Sequence, residues 1–395
     1  MKKISLAALA CFFKIALAIG QTTAADSTVY TDRKLHIDEV NLVSSYYIQN
    51  GNNSAVTGGV GTEHLTDFAN TIDVKLLRRG HNNLLHSFDV SLGIDAYTSA
   101  SSDKIDPSTV SSASSGDTRI YPSLNWTVKN EKKGLAAGIT GSYSTEYDYK
   151  SYGLGVNVSK STADNNRELS LKLQAYWDTW KVILPIELRT HGEKEEGFSP
   201  RNSYSASLSY AQVINTRLQA AVLVDGIYQE GLLATKYQRV YFQDQSVQSE
   251  VLPAKRFKLP VGLRLNYFAG SRFILRGYYR YYMDDWGVKA HTISLEVPVK
   301  INPYLSASPF YRYYTQTAAD YFAPINQHQT ADQYFTSDYD LSAFNSHFMG
   351  LNVRYVPEKG VLGIRQWKMA ELRYGHYIRS NGLTSDVLTL NVQLK

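Results

Sequence analysis

Cysteine is nearly absent from these 395 residues: Cys11 stands alone, so no internal disulfide forms and Cys/His zinc modules are excluded. Charge is sparse and balanced, with 41 Lys and Arg against 36 Asp and Glu. That is too even for nucleic-acid binding driven by net charge. Past the N-terminus no run approaches the roughly 18 uninterrupted apolar residues that a transmembrane helix needs, and the mean hydropathy of -0.30 argues against a helical membrane bundle. Disorder is excluded as well, because aromatics make up 12% of the chain and net charge is low. Tyrosine is what the sequence has in quantity, 30 residues spread along its whole length. Length alone would allow two or three soluble domains, but this composition favours one large all-β body.

The N-terminus reads as an address. Met1-Lys2-Lys3 is a short basic region, Ile4 to Ile19 is apolar apart from Ser5 and Lys14, and Thr22-Thr23-Ala24-Ala25 offers small residues for cleavage. Residues 1–25 are therefore expected to be a secretory signal peptide that is removed, leaving 26–395 as the mature domain. Cys11 belongs to the discarded part. Removal takes three of the 41 basic residues and no acid, which leaves 38 against 36.

From His36 onward, stretches of roughly ten residues alternate apolar with small or polar side chains, as a strand with one oily and one wet face does. Leu169, Leu171, Leu173, Ala175 and Trp177 alternate with polar neighbours, and Tyr204, Ala206, Leu208 and Tyr210 alternate with serines. A soluble sandwich would alternate too, but with shorter strands and polar faces rich in Lys and Glu. A periplasmic solenoid would need a repeat of about 20–50 residues, and none is visible. Secretion, strand length and tyrosines at strand ends point to a transmembrane antiparallel β-barrel in the outer membrane of a Gram-negative cell, with both termini in the periplasm.

Seventeen stretches qualify as strands, whereas bacterial single-chain barrels have an even number. The stretch from Trp180 to Leu188 is the one to remove, because Pro185 interrupts its ladder and a long polar segment follows. Sixteen strands remain, starting near residues 36, 61, 84, 118, 135, 151, 168, 202, 217, 257, 272, 287, 304, 345, 366 and 384. Long loops then fall on one side, at 50–60, 99–117, 179–201, 229–256 and 315–344, and three are long enough to fold back into the lumen. The Ser-rich loop from Ser99 to Asp117 reads as flexible surface.

The runs Tyr278-Tyr279-Arg280-Tyr281-Tyr282-Met283-Asp284-Asp285-Trp286-Gly287 and Pro309-Phe310-Tyr311-Arg312-Tyr313-Tyr314 resemble the bacterial family known as domain of unknown function 3570, as do Tyr321-Phe322-Ala323-Pro324 and Thr336-Ser337-Asp338-Tyr339-Asp340-Leu341. Upstream, Ser115-Gly116-Asp117-Thr118-Arg119 and Glu146-Tyr147-Asp148-Tyr149 fit the same family. The resemblance implies an outer-membrane barrel without an established activity, and hence no catalytic residues to carry over. Lys395 departs from the final aromatic usual in such barrels.

Apolar parity assigns the lumen face. Arg264, Arg276, Arg280, Arg312, Arg354 and Arg373 are expected to form a basic inner wall, with Asp284, Glu296 and Glu371 interleaved. Opposite, Gly138, Thr140, Ser142, Gly153, Gly155, Asn157 and four serines are small and supply no compensating charge. Two readings follow. The arginines line a passive or gated pore for small hydrophilic solutes, anionic ones in particular, or they form a salt-bridged ladder in a closed barrel that serves periplasmic or surface partners.

Enzyme signals are poor. His291 beside Asp284-Asp285 reads better as an interfacial histidine, and the loop acids Asp320, Asp332, Asp338 and Asp340, near His328, match no calcium-loop spacing and read as solvated. No cofactor or metal is implied. Outer-membrane lipid is the expected surrounding, and the sequence leaves oligomeric state open.

Overall fold

The computed structural model describes residues 34–80, 84–101, 115–189 and 197–395. The expected signal peptide, most of the Ser-rich loop and residues 190–196 lie outside these. Sixteen antiparallel strands follow in chain order: β1 (His36–Gly51), β2 (Glu63–Arg79), β3 (Leu84–Thr98), β4 (Gly116–Asn130), β5 (Leu135–Thr145), β6 (Tyr149–Ser161), β7 (Arg167–Lys181) and β8 (Phe198–Asn215). Then come β9 (Leu218–Gly231), β10 (Lys255–Ala269), β11 (Phe273–Asp284), β12 (Lys289–Glu296, resumed at Val299–Lys300), β13 (Leu305–Gln316), β14 (Phe344–Tyr355), β15 (Trp367–Arg379) and β16 (Thr384–Leu394). Each pairs with its sequence neighbours, and β1 pairs with β16 from Val40↔Leu394 to Asn50↔Thr384, closing the barrel. Closure leaves the barrel sheet without an edge.

Pro298 explains the gap in β12, since it has no N–H to give the ladder. Instead its carbonyl accepts from Ile274, while the Val297 N–H reaches the Pro309 carbonyl. Pro185 acts as expected, capping a short 3-10 helix (Ile186–Leu188) within the loop after β7. That loop is shorter than 179–201, because β7 runs to Lys181 and β8 starts at Phe198, with Lys181↔Phe198 the last pair.

The chain ends and the turns at 131–134, 162–166, 216–217, 270–272 and 301–304 share one rim, here the turn rim. The segments 52–62, 182–189, 232–254 and 317–343 share the other, the loop rim. On the outward face Leu263, Leu295, Leu351, Leu372 and Leu390 are exposed. Tyr279, Tyr311 and Tyr374 flank this apolar band toward the loop rim, and Tyr267, Tyr304 and Tyr355 flank it toward the turn rim. Aromatic girdles at both edges of an exposed apolar belt are how a barrel meets lipid.

Candidate functional site

Residues of opposite parity to the apolar band form the inner face, and strand register assembles them. Along β11 to β15 the ladder pairs Arg276↔Glu296, Arg312↔Phe348, Phe310↔Gly350, Asn352↔Arg373 and Arg354↔Glu371. Arg264 stands beside Tyr278 on the same face. The predicted arginines thus share one wall, but they are held in three different ways.

Arg276 and Arg373 share one acid: Glu296 accepts from Arg276 at 2.9 Å and from Arg373 at 3.4 Å. Arg354 and Glu371 approach only to 3.9 Å. Arg280 and Arg312, in contrast, have no carboxylate partner among the described residues. The Arg312 guanidinium lies 5.0 Å from the Phe348 ring centroid, Arg373 lies 3.9 Å from that of Phe310, and the Arg280 Nε is buried without a hydrogen bond. Ring faces attract guanidinium without consuming its donors. Two glycines make room for those rings: a Cβ at Gly350 would lie 2.6 Å from the Phe310 Cζ, and one at Gly375 would lie 2.5 Å from the Phe348 Cζ.

Asp284 does not join this wall as a counter-ion. Its side chain is fully buried, ion-paired with Arg256, and accepts from Tyr282 Oη at 2.6 Å and from the Trp286 and Val288 N–H groups at 3.0 Å. It holds the β11–β12 turn together. The salt-bridged-ladder reading offers Asp284 to the wall arginines as a counter-ion; its pairing with Arg256 instead leaves Arg280 without it.

The small-residue wall is present as expected, with Gly138↔Asn157, Thr140↔Gly155 and Ser142↔Gly153 across β5 and β6. The missed feature lies beside it. Asp67 and Asp73 on β2 and Asp89 and Asp95 on β3 share the inner face, through the pairs Asp67↔Tyr97, Asp73↔Ser91, Lys75↔Asp89 and Ala69↔Asp95. Asp95 accepts from Tyr121 Oη at 2.8 Å, and Asp89 accepts from Asn125 at 3.2 Å, while Asp67 Oδ1 is buried without a partner. The facing side is therefore charged too, with Lys75 and Arg119 interleaved and Arg79 and Lys129 of the same parity toward the turn rim. In a ring of sixteen, β3 and β11 are eight strands apart, so Asp95 and Arg280 stand on opposite sides. Both lie within four residues of the loop-rim end of their strands.

Above this level the long loops cross the mouth. The loops after β1 and β9 begin eight strands apart, yet Arg239 donates to the Val56 carbonyl at 2.9 Å, and Val56 packs with Ile183 and Tyr237. Arg239 also pairs with Glu187 from the loop after β7. Segments 232–254 and 317–343 share a buried cluster of Val240, Phe242 and Phe335, with the two Phe rings 4.9 Å apart. Glu250 accepts from Thr336 Oγ1 and from the Thr235 N–H, each at 2.5 Å, and Gln238 donates to Asp338 at 3.2 Å. Asp338 is thus a half-buried cap residue held by Gln238 rather than a solvated acid; Asp332 stays on the surface, 3.5 Å from His328. Burial pushes Glu250 up to about 8 and Asp338 up to about 6, each with a further push from a neighbouring acid. His291 sits on the outward face, 2.9 Å from Tyr279 Oη and with its ring tilted against that of Tyr281, 5.1 Å between centroids, as an interfacial histidine would.

The model of the family described as Protein of unknown function (DUF3570) matches residues 96–366, more than half of the chain. The chain belongs to that family. No curated protein matches this DUF3570 barrel in sequence. Among solved structures it is similar to a BenF-like porin from Pseudomonas fluorescens Pf-5, at 9% identity and a TM-score of 0.45, covering 90% of this chain and 98% of the other. It is similar also to Pseudomonas aeruginosa OccK2 (OpdF), at 9% identity and a TM-score of 0.41, covering 90% and 97%. Pseudomonas aeruginosa OpdK gives 9% identity, a TM-score of 0.43 and coverage of 90% and 98%.

Proposed function

We propose that this barrel sits in the outer membrane of a Gram-negative cell, chain ends in the periplasm, and conducts small hydrophilic solutes past a loop cap that gates its mouth. The observation that carries the reading is the uncompensated pair Arg280 and Arg312 on a polar inner face, wrapped in an apolar band with two tyrosine girdles. A charged group without a counter-ion is costly in a dry interior and tolerable in a wet one. Sixteen strands are enough to leave an aqueous channel.

Anions are favoured modestly. The β10–β15 wall sets six arginines against Glu296 and Glu371, whereas the β2–β4 wall sets its aspartates against Lys75, Arg79, Arg119 and Lys129, so the positive side retains the larger excess. No catalytic chemistry and no cofactor enter this reading.

The cap supports a second reading, a closed barrel that serves as a scaffold or accessory to periplasmic or surface proteins, because loops from opposite sides meet over the mouth. Single-channel recording in planar bilayers separates the two. Discrete openings are expected of the gated pore, and no openings even after cap removal would leave the scaffold. Orientation is tested on intact cells: a cysteine at Gln245 should react with an impermeant reagent, and one at Asn165 should not.

A further inference from the structure

The two tyrosine-rich runs that carry the family resemblance each place an arginine between tyrosines, Arg280 on β11 and Arg312 on β13. Parity turns Tyr279, Tyr281, Tyr311 and Tyr313 outward and leaves both arginines inside. Register sets the two at opposite corners of one inner-face patch, with Arg280↔Thr292↔Tyr314 in one row and Tyr278↔Ser294↔Arg312 in the next. Two strand spacings and a two-residue step put the corner Cα atoms about 12 Å apart, a span that two extended arginines close between them. The patch contains hydroxyls and no carboxylate. Those of Tyr278, Thr292 and Ser294 have no hydrogen-bond partner among the described residues, and the Arg280 Nε is buried without one. The nearest acids are engaged elsewhere: Asp284 pairs with Arg256, Asp340 with Arg379, and Glu296 is shared by Arg276 and Arg373. Arg280 and Arg373 are close enough for their charges to act on Arg312. Like charges gathered beside unused hydroxyls leave an anion as the missing partner.

We propose that Arg280 and Arg312, with Tyr278, Thr292 and Ser294, bind the phosphate group of a small solute inside the barrel. The inference deepens the pore reading and rests on the wet lumen which that reading supposes. A carboxylate has two oxygens, and one guanidinium fork satisfies both. A phosphate group offers three acceptor oxygens and a charge of about −1.5 to −2 at neutral pH, which suits two forks and several hydroxyls approaching from separate corners. Phe348 holds Arg312 by its ring face, 5.0 Å from the guanidinium, and leaves the N–H groups to the anion. One row nearer the loop rim, Gln316 donates to the Asp340 and Ser342 carbonyls. The patch therefore lies directly under the cap.

Calorimetric titration of the purified, folded barrel with inorganic phosphate and with methyl phosphate tests the site. Saturable binding of at least one is expected, and the tighter of the two identifies the solute as free phosphate or an ester. Acetate should bind at least tenfold more weakly. Arg280→Gln and Arg312→Gln should each weaken phosphate binding at least tenfold, and Lys359→Gln, an exposed cation in the turn after β14, should leave it unchanged. Arg312→Lys keeps the charge but not the fork and should weaken binding severalfold, so the test survives if a Gln variant misfolds. Heat-dependent gel migration reports the folding of each. No saturable binding of either phosphate, acetate bound as tightly, or equal affinity in the wild type and the folded arginine variants overturns the proposal. The titration needs no current, so binding without channel openings would keep the site and remove the pore, and openings without phosphate binding would do the reverse.

Discussion

The β10–β15 wall and the β2–β4 wall are both charged and both face inward, but they hold charge differently. Arg312 and Arg373 rest on the rings of Phe348 and Phe310, whereas Asp95 and Asp89 accept hydrogen bonds from Tyr121 and Asn125. A guanidinium can be packed by its flat face and keep its N–H groups for a passing solute. A carboxylate has no such face for an aromatic ring, so it is held through the same oxygens that a solute would seek. The basic wall is thus more available to ligands than the acidic wall, even where both are wet.

The cap decides whether that difference is expressed at all, so the largest change should come from replacing 317–343 with Asn-Gly, a two-residue turn suited to the Gln316↔Phe344 pair. Conductance in planar bilayers should rise severalfold or become continuously open. A second way to remove the cap is pH. Carboxylates in loosened loops ionise near 4, while packed Glu250 and Asp338 hold their protons to about 8 and about 6. Glu250 faces Thr336, Thr235, Lys236 and Asp338; Asp338 faces Gln238, Asp340 and Arg379. Between about pH 4 and 8 the packed cap therefore binds more protons than the loosened one, and its stability falls as pH rises. Open probability should increase from pH 5 to pH 8, and Glu250→Gln should flatten the upper part of that rise. Openings favoured by acid would contradict the assignment.

The walls themselves can be set against each other. Arg280→Gln with Arg312→Gln should shift the reversal potential in a salt gradient toward cations, and Asp89→Asn with Asp95→Asn should shift it toward anions. We expect the arginine pair to give the larger shift, because its charge is not already hydrogen-bonded to the wall. Equal and opposite shifts would mean that the charges of the two walls are equally available.

Much of this was legible in the sequence, because period-two alternation is a local signal. The expected starts at His36, Leu84, Leu135 and Thr384 coincide with the observed strands, and the rest fall within four residues. The largest offset, Asn202 against Phe198, arises where β8 runs past the apolar band and pairs through Pro200 and Ser199 without alternation. Even parity correctly removed the stretch from Trp180 to Leu188 as a strand of its own, although Trp180 and Lys181 belong to the end of β7. The cap was not legible, since Val56, Glu187, Arg239, Glu250 and Thr336 come from four loops with no period to relate them. The aspartates of β2 and β3 could have been found. Asp67, Asp73, Asp89 and Asp95 have inner parity in the sequence, but their place across from β10 and β11 emerges only from counting around the closed ring.

The smallest effect, and the finest test, concerns Glu296. It is the one acid that bridges two arginines of the basic wall, yet Arg276 is 52% exposed and Glu296 22% exposed, so water screens the pair. Exposed ion pairs contribute about 0–1 kcal/mol. Glu296→Gln should therefore leave the midpoint of heat-dependent gel migration nearly unchanged. If the arginines only brace the barrel, the loss of Glu296 strands Arg276 and Arg373, and the midpoint should fall clearly. If they line a path, those two arginines join Arg280 and Arg312 as free charge, and anion preference should increase by a small amount with stability intact. Measured on one variant, the two readouts move in opposite senses under the two readings: scaffolding loses stability without gaining selectivity, and a lining wall gains selectivity without losing stability.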